Sequence, residues 1–298
     1  MAIVNFGSLN LDHVYAVPHF CRGGETMTAL SLSGSIGGKG LNQSVAVARS
    51  GAEIFHAGMI GRGGDALREC LAGNGVDTSL LRDCAEPQGH AIIQVDPNGQ
   101  NCIIVFGGSN RAVTKEYIDA CLARFQPGDY LILQNEISNL PYLIGAGAAL
   151  GLRIVLNASP IDETVLGVDF SRLTWLVVNE IECARIAGVE DTEEAYAALC
   201  ARYPGIGILL TLGEKGSRCF RNGGELRQKA FRTKAVDTTG AGDTFMGYFV
   251  GCLQRGFALP ETMRLASMAS AIAVSRPGAA QSIPRFEEVE QALRRLTD

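Results

Sequence analysis

Short, nearly continuous apolar runs alternate with longer segments of helical periodicity along most of this chain. Six runs are apolar at nearly every position, which is typical of parallel strands covered on both faces: "IVNFGS", "IFHAGMIG", "YLILQN", "RIVLNAS", "WLVVN" and "GILLTLG". Apolar residues at helical spacing predict helices over 42–50, 66–72, 114–124, 140–149, 180–187, 192–202, 243–254, 260–275 and 285–296. The alternation predicts a doubly wound α/β fold, in which helices flank a mostly parallel central sheet.

Two regions break this alternation. "HVYAVP" and "TMTALSLSG" indicate strands with no helix between them, and "HAIIQVDPNGQNCIIVF" indicates a hairpin that turns at Asp-Pro-Asn-Gly-Gln. We therefore expect one domain over residues 1–298, with a small β-sheet lid inserted from about 12–36 and 89–107. Because "CIIVF" is apolar at every position, this sheet is expected to cover a site, a second subunit, or both.

The composition excludes several classes of function but does not identify one. The 26 basic and 31 acidic residues give a net charge of −5, which offers no electrostatic basis for binding nucleic acid or membranes. Nine scattered cysteines without a C-x-x-C pair argue against disulfides or zinc and favour a reducing cytoplasm. The start "MAIVNFGSLN" indicates no signal peptide, and no apolar run is long enough to cross a bilayer.

The stretch "AVDTTGAGDTFMG" joins a turn to a helix. Gly240 and Gly242 allow the backbone to bend and approach a ligand closely, and apolar residues take up helical spacing from Thr244 onward. Free N–H groups at a helix N-terminus favour anions. Asp243 is therefore either a helix cap or a reactive carboxylate beside a bound anion.

A second glycine-rich loop, "GSIGGKGLNQSVAVARSGA", also leads into a helix. A P-loop would place Ser or Thr after Lys39, where Gly40 stands, and Gln43 occupies the last glycine position of G-x-G-x-x-G. Neither nucleotide-binding motif is therefore present. The loop is either a tight turn before a small-residue helix, or a place where backbone and the two-sided amide of Asn42 touch a ligand.

Polar residues cluster where predicted strands end, and ligands bind at such ends in open α/β sheets. Asn179 and Glu182 could hold hydrated Mg²⁺ near phosphates, although acids are common in first helical turns. Thr211 and the glycines after it could meet a nucleotide, although a plain β-turn has the same composition. Three further side chains suggest a hydroxyl-rich ligand: Asn10, Asp12 and Glu136.

Together these stretches resemble the ribokinase (PfkB-like) carbohydrate kinase family. The motifs are "GGKGLNQSVAVARSGA" and "DTTGAGDTFMG", with "GSLNLD", "LQNE", "NASP", "VVNEIE", "TLGEKG" and "SRPGAAQSIP" in the family's order across essentially the whole chain. The resemblance implies transfer of the γ-phosphoryl group of Mg-ATP to a sugar hydroxyl, with D-ribose converted to D-ribose 5-phosphate as the expected reaction. A kinase of another sugar or a nucleoside stays open, as does a sugar or nucleotide sensor without catalysis.

The resemblance also assigns roles residue by residue. It makes Asp243 the base that accepts the proton of the attacking hydroxyl, a step for which a carboxylate of ordinary pKa, kept ionised by the helix end, would suffice. The anion hole would consist of the amides of Gly240, Ala241 and Gly242. The sugar would be held by Asn10, Asp12, Gly38, Lys39, Asn42, Glu136 and Asp243. The nucleotide would be held by Asn179, Thr211, Gly213, Gly216, Gly242 and Ser267.

Metal ions and a partner subunit complete what the resemblance implies. Glu182 would bind Mg²⁺ through water. An activating K⁺ would be held, in part by backbone carbonyls, by Asp237, Thr239, Ala273, Arg276, Gly278 and Ser282. The lid would clasp a second copy of the chain, which makes a homodimer the expected assembly.

Overall fold

The long apolar runs become the strands of a central sheet in the structure, a computed structural model that describes residues 1–296. The strands are β1 Ile3–Phe6, β2 Asn10–Ala16, β3 Ser31–Gly37, β4 Phe55–Ala57, β5 Met59–Arg62, β6 Arg82–Pro87, β7 His90–Val95, β8 Asn101–Phe106, β9 Tyr130–Leu133, β10 Arg153–Asn157, β11 Trp175–Asn179, β12 Gly207–Thr211, β13 Ser217–Arg221 and β14 Gly224–Gln228. The α-helices are α1 Lys39–Arg49, α2 Asp65–Gly73, α3 Lys115–Leu122, α4 Leu140–Ala149, α5 Glu163–Leu166, α6 Glu180–Ala187, α7 Thr192–Arg202, α8 Ala241–Gln254, α9 Leu259–Val274 and α10 Phe286–Arg294. Residues 297 and 298 of the predicted domain lie outside the described residues.

The central sheet has the strand order β14-β13-β12-β11-β10-β9-β1-β4. In this order, neighbouring strands pair in parallel from β12 through β11, β10, β9 and β1 to β4. At the other edge, β13 and β14 are added by antiparallel pairing. Alternate strand residues enter different cores, since Val4 and Phe6 pack with α3, α4, α6 and α7 while Ile3 packs with α1, α8 and α9. The predicted doubly wound, mostly parallel architecture is confirmed.

A separate four-stranded sheet has the order β3-β2-β7-β8. It contains the predicted hairpin, because β7 and β8 pair antiparallel around a turn closed by the bond from Asp96 N to Gln100 O. The predicted small sheet is therefore present, built from Asn10–Ala16, Ser31–Gly37, His90–Val95 and Asn101–Phe106. We call this sheet the lid. Every residue of β8 is exposed in the single chain.

Some elements differ from the prediction. The run "IFHAGMIG" is not one strand: it divides at Gly58 into β4, in the central sheet, and β5, which pairs with β6. A side chain at Gly58 would stand 3.1 Å from the carbonyl oxygen of Gly7, a tight approach that glycine avoids at this division. Strands β6, β13 and β14 and the short α5 were not predicted. No membrane-spanning helix is found among residues 1–296.

Candidate active site

The glycine bend forms the N-terminus of α8. Gly240 is the N-cap residue with a φ of 72°, a left-handed conformation that favours glycine. No side chain caps this helix, so Asp243 is not its cap. Of the three amides predicted to bind phosphate, that of Ala241 donates to Thr238 O at 3.2 Å, a long bond that a phosphate oxygen could share. The helix end therefore suits an anion.

The carboxylate of Asp243 is held against α1. Asn42 Nδ2 donates to Oδ2 at 3.1 Å and Gln43 Nε2 donates to Oδ1 at 2.9 Å, while the residue is only 7% exposed. Burial raises the pKa of Asp243, and the charge of Lys39 and the two amide bonds oppose this rise. The sequence did not reveal how deeply this carboxyl is buried, and its pKa therefore lies above the ordinary value that would suffice for the proton transfer.

The N-terminus of α1 brings the second glycine-rich loop to the same place. Gly38 has a φ of 97°, and a side chain there would stand 2.9 Å from Ser8 O. The next amide, Lys39 N, donates to Glu136 Oε2 at 3.3 Å, and the Ser8 hydroxyl donates to the same oxygen. Burial raises the pKa of Glu136 despite these bonds and the charge of Lys39. The loop is thus both a tight turn and a wall of the site.

Lys39 is a charged centre among carboxylates. Burial disfavours its charge, but Asp243, Glu136 and Glu182 together hold the pKa of Lys39 above its ordinary value. The family resemblance placed Lys39 among the residues that would hold the sugar. Its surroundings favour a role inside the site, where it offsets the negative charge that the three carboxylates would otherwise accumulate.

Two polar residues of β2 complete the sugar-facing part of the site. The buried Asn10 accepts a hydrogen bond from Asn110 Nδ2 at 2.7 Å through Oδ1. Burial, together with the charge of Glu136, raises the pKa of Asp12 to about 6. The structure therefore brings the predicted sugar ligands of the lid, α1, the segment after β9 and α8 to one place.

A cavity of ≈ 810 Å³ opens beside the α8 N-terminus. Its lining includes five of the predicted nucleotide residues: Thr211, Gly213, Gly216, Gly242 and Ser267. Asn179 does not line it. The segment before α8 supplies walls that sequence reasoning missed, among them Phe231, Thr233 and Ala235. This segment has no strand or helix periodicity, so only its position just before the glycine bend could have indicated its role.

Asn179 and Glu182 form a capping box at the start of α6. Asn179 Oδ1 accepts from Glu182 N, while the Glu182 carboxylate accepts from Asn179 N and Nδ2, each at 2.9 Å. Each carboxylate oxygen thus accepts one hydrogen bond within the capping box, and contact with a metal through water stays a prediction. Residues 1–296 contain no group of three His, Cys, Asp or Glu arranged for a metal ion. Mg²⁺ needs no such cage, because it keeps waters and binds substrate phosphates.

The residues predicted to bind K⁺ lie in the segment before α8, in the last turn of α9 and in the segment that follows α9. Asp237 Oδ1 accepts from Thr239 N and Oδ2 from Gly278 N, each at 2.9 Å, and the amide of Asp237 donates to Val274 O. Burial opposes ionisation, but these bonds hold the pKa of Asp237 below its ordinary value. The Arg276 guanidinium pairs with Glu288 of α10, so its backbone is the part left to face a cation. Ala273 lies in the last turn of α9, and Ser282 lies in the segment between α9 and α10.

A bare helix N-terminus, a carboxylate held beside it and a nucleotide-sized cavity define the class of a phosphotransferase with an alcohol group as acceptor. Residues 2–285 match the family described as pfkB family carbohydrate kinase, and the chain belongs to that family. The ribokinase of Haemophilus influenzae is 34% identical over 297 residues, covering 96% of each chain.

Two solved ribokinase structures resemble the whole fold. That from Cryptococcus neoformans, in complex with ADP, has a TM-score of 0.86 and 31% identity over 98% of this chain and 99% of its own. That from Arabidopsis thaliana, complexed with ribose and ATP, has a TM-score of 0.85 and 29% identity over 98% of both chains. The ribokinase-like fold and the kinase class of this protein follow from these matches.

Proposed function

We propose that this protein is a ribose kinase, which transfers the γ-phosphoryl group of ATP to D-ribose and yields D-ribose 5-phosphate. The observation that carries the proposal is the place of Asp243. It accepts a bond from Asn42 of α1, the helix whose first amide, Lys39 N, donates to Glu136, and its neighbour Gly242 lines the nucleotide cavity. The relatives named ribokinase, one of them complexed with ribose and ATP, support D-ribose as the acceptor.

The proposed mechanism is mainly positioning and electrostatic stabilisation. Phosphoryl transfer has a loose transition state whose charge spreads over the equatorial oxygens, and the amides at the α8 N-terminus would donate to those oxygens. Asp243 would accept the proton of the attacking hydroxyl, and its raised pKa makes it a better base once it is ionised. Lys39 would add positive charge close to the transferred group.

Recognition of the sugar would rest on buried acceptors. Asn42 Oδ1 is buried and has no hydrogen-bond partner, so it is available to a sugar hydroxyl. Asp12 and Glu136 offer further carboxylate oxygens, and a ligand without matching hydroxyls would leave these groups unsatisfied. A nucleoside would need aromatic cover for its base, for which the lid offers chiefly Tyr15 and Phe106.

Two cations belong to the proposal. Mg²⁺ neutralises charge on the phosphates when it is bound with the nucleotide, and Glu182 would hold one of its waters. K⁺ supplies a positive charge beside the α8 N-terminus, and Asp237 with the carbonyls of the adjoining loop would hold it. We further propose a cytoplasmic location, which the scattered cysteines favour.

A homodimer through the lid is also part of the proposal. Ile104 and Val105 of β8 are 61% and 62% exposed, and Phe106 is 47% exposed. An uncovered apolar edge strand invites association, and a second copy of the chain would cover it. We expect Ile104→Lys to convert a dimer into monomers in sedimentation velocity, whereas Lys at the exposed helix residue Glu116 leaves the dimer intact. A wild-type monomer at micromolar concentration would contradict this.

A coupled ADP-release assay tests the reaction itself. Mg-ATP is offered with D-ribose, other pentoses, hexoses and nucleosides, with K⁺ or with Na⁺ at equal ionic strength. D-ribose should give the highest kcat/KM, and K⁺ should raise it. Asp243→Asn should lower kcat by about two to four orders of magnitude. Asp65→Asn, an exposed first-turn aspartate of α2, is the matched control that should retain activity. Near-normal turnover of Asp243→Asn would refute the role of Asp243 as the base.

A further inference from the structure

A chain of buried hydrogen bonds runs from Asp243 into the centre of the protein. Gln43 Nε2 donates to Asp243 Oδ1, and Gln43 Oε1 accepts from Gln134 Nε2 at 2.7 Å. Gln134 Nε2 also donates to Asn5 Oδ1 at 2.9 Å. Gln43 and Asn5 are fully buried and Gln134 is 1% exposed, so water cannot replace these partners.

The chain continues to a histidine. Asn5 Nδ2 donates to Ser44 Oγ at 2.9 Å and to Gly40 O at 2.8 Å. Because Gly7 O can only accept, the neutral imidazole of His56 carries its proton on Nε2, and its Nδ1 accepts the Ser44 hydroxyl proton at 2.8 Å. His56 Nε2 lies 3.3 Å from Gly7 O, which accepts its proton. Each donor atom in the chain therefore has at least one acceptor.

The direction of each amide follows from its neighbour. An ionised Asp243 only accepts hydrogen bonds, so Gln43 must present its NH₂ group and turn its oxygen toward Gln134. Gln134 must then present its NH₂ group to two oxygens, and its own Oε1 is left buried without a partner. A buried oxygen without a partner is unfavourable. Its presence in Gln134 is explained by the two acceptors, Asn5 Oδ1 and Gln43 Oε1, that both bind the NH₂ group of Gln134. Reversing any amide would place two oxygens face to face.

We infer that Gln43 is a positioning residue for phosphoryl transfer, and that Gln134, Asn5, Ser44 and His56 orient its amide so that an N–H group always faces Asp243. The inference rests on the proposed function, because it assumes that Asp243 is the base. The bond from Gln43 restrains the carboxylate and stabilises its ionised form. The five residues come from α1, β1, β4 and the end of β9, so the chain links the base to the rigid central sheet.

The pH dependence of kcat/KM reports on this arrangement. The charged groups that face Asp243 are Lys39 of α1 and Glu136 after β9, and Gln134→Met alters neither of them. In Gln134→Met the Gln43 oxygen loses its donor, and its amide can turn toward a protonated Asp243. We expect the acidic limb of the profile to move up by about half to one pH unit. We expect kcat to fall about tenfold, with KM for ATP within about twofold of wild type.

A matched control separates positioning from stability. Gln88 is 4% exposed, and its amide also makes two buried bonds, to Leu9 O and from Gly61 N, without a link to Asp243. Gln88→Met should unfold at lower temperature but keep the acidic limb and kcat of wild type. If Gln134→Met does not fold, as judged by circular dichroism, Ser44→Ala should show a smaller shift in the same direction.

The outcomes distinguish this inference from the proposed function. If the wild type turns over no sugar, the proposed function is rejected. If it does turn over a sugar, the inference is judged on kcat and on the acidic limb of Gln134→Met relative to those of the wild type. An acidic limb that stays in place in a folded Gln134→Met or Ser44→Ala would overturn the inference. So would an equal fall in kcat when Gln134→Met is added to Asp243→Asn, because a positioning effect must vanish once the base is gone.

Discussion

Acid should destabilise this protein through His56. The imidazole is fully buried between the Ser44 hydroxyl and Gly7 O, and Ser44 is already committed as an acceptor to Asn5. Protonation would bury a charge, and the Ser44 hydroxyl would have to turn its proton away from Nδ1. Burial accordingly lowers the pKa of His56 from 6.5 to about 4, although the bond to Gly7 opposes this.

The size of the effect follows from proton linkage. The depressed pKa means that the folded state binds fewer protons than the unfolded state between pH 6.5 and about 4. Stability is therefore complete above pH 6.5 and falls by about 1.4 kcal/mol per pH unit across that window. At pH 5.0 the loss attributable to His56 is about 2 kcal/mol. Asp12, whose pKa is raised to about 6, acts in the opposite direction, so a variant must isolate His56.

The contribution of His56 to the loss of stability in acid is measured by urea unfolding of wild type and His56→Asn at pH 7.5 and pH 5.0. Asn retains an acceptor for Ser44 and does not titrate, so its constant packing cost cancels when the two pH values are compared. The sole tryptophan, Trp175, is 5% exposed and gives a fluorescence signal that should coincide with circular dichroism. Between pH 7.5 and pH 5.0 the free energy of unfolding of the wild type should fall by about 2 kcal/mol more than that of His56→Asn. Equal losses in both proteins would refute the burial of a neutral imidazole.

Two further predictions concern packing and recognition. Gly247→Ala should destabilise the protein by about 1–3 kcal/mol, because the new methyl group would overlap Ala46 and stand 2.8 Å from Gln43 O. Gly73→Ala, at an open helical position, is the control and should be tolerated. Equal melting temperatures of Gly247→Ala and wild type would contradict this prediction. KM for D-ribose should rise about tenfold from pH 7.5 to 5.0 as Asp12 is protonated, and Asp12→Asn should remove this dependence. If KM of Asp12→Asn still rises as in wild type, a group other than Asp12 causes the pH dependence.

Strands and helices were predictable where one local pattern sufficed. Strands buried on both faces leave almost unbroken apolar runs, and α6 and α7 matched their predicted bounds because Asn179 and Asp191 cap them. Strand β13 was missed because Arg218, which looks like a surface residue in the sequence, is 7% exposed and paired with two glutamates. An arginine that is buried by partners from α7 and β14 leaves no periodic signal in the sequence.

The sequence by itself determined the glycine bend, the carboxylate after it and the family, because these depend on residues adjacent in the chain. Only the tertiary structure decided how Asp243 is buried, which carboxylates surround Lys39 and why Gln43 faces the base. Asp243 and Gln43 are separated by 200 positions. Their hydrogen bond exists because α1 and α8 pack side by side on the central sheet, and burial in that contact sets both the pKa and the orientation of the amides.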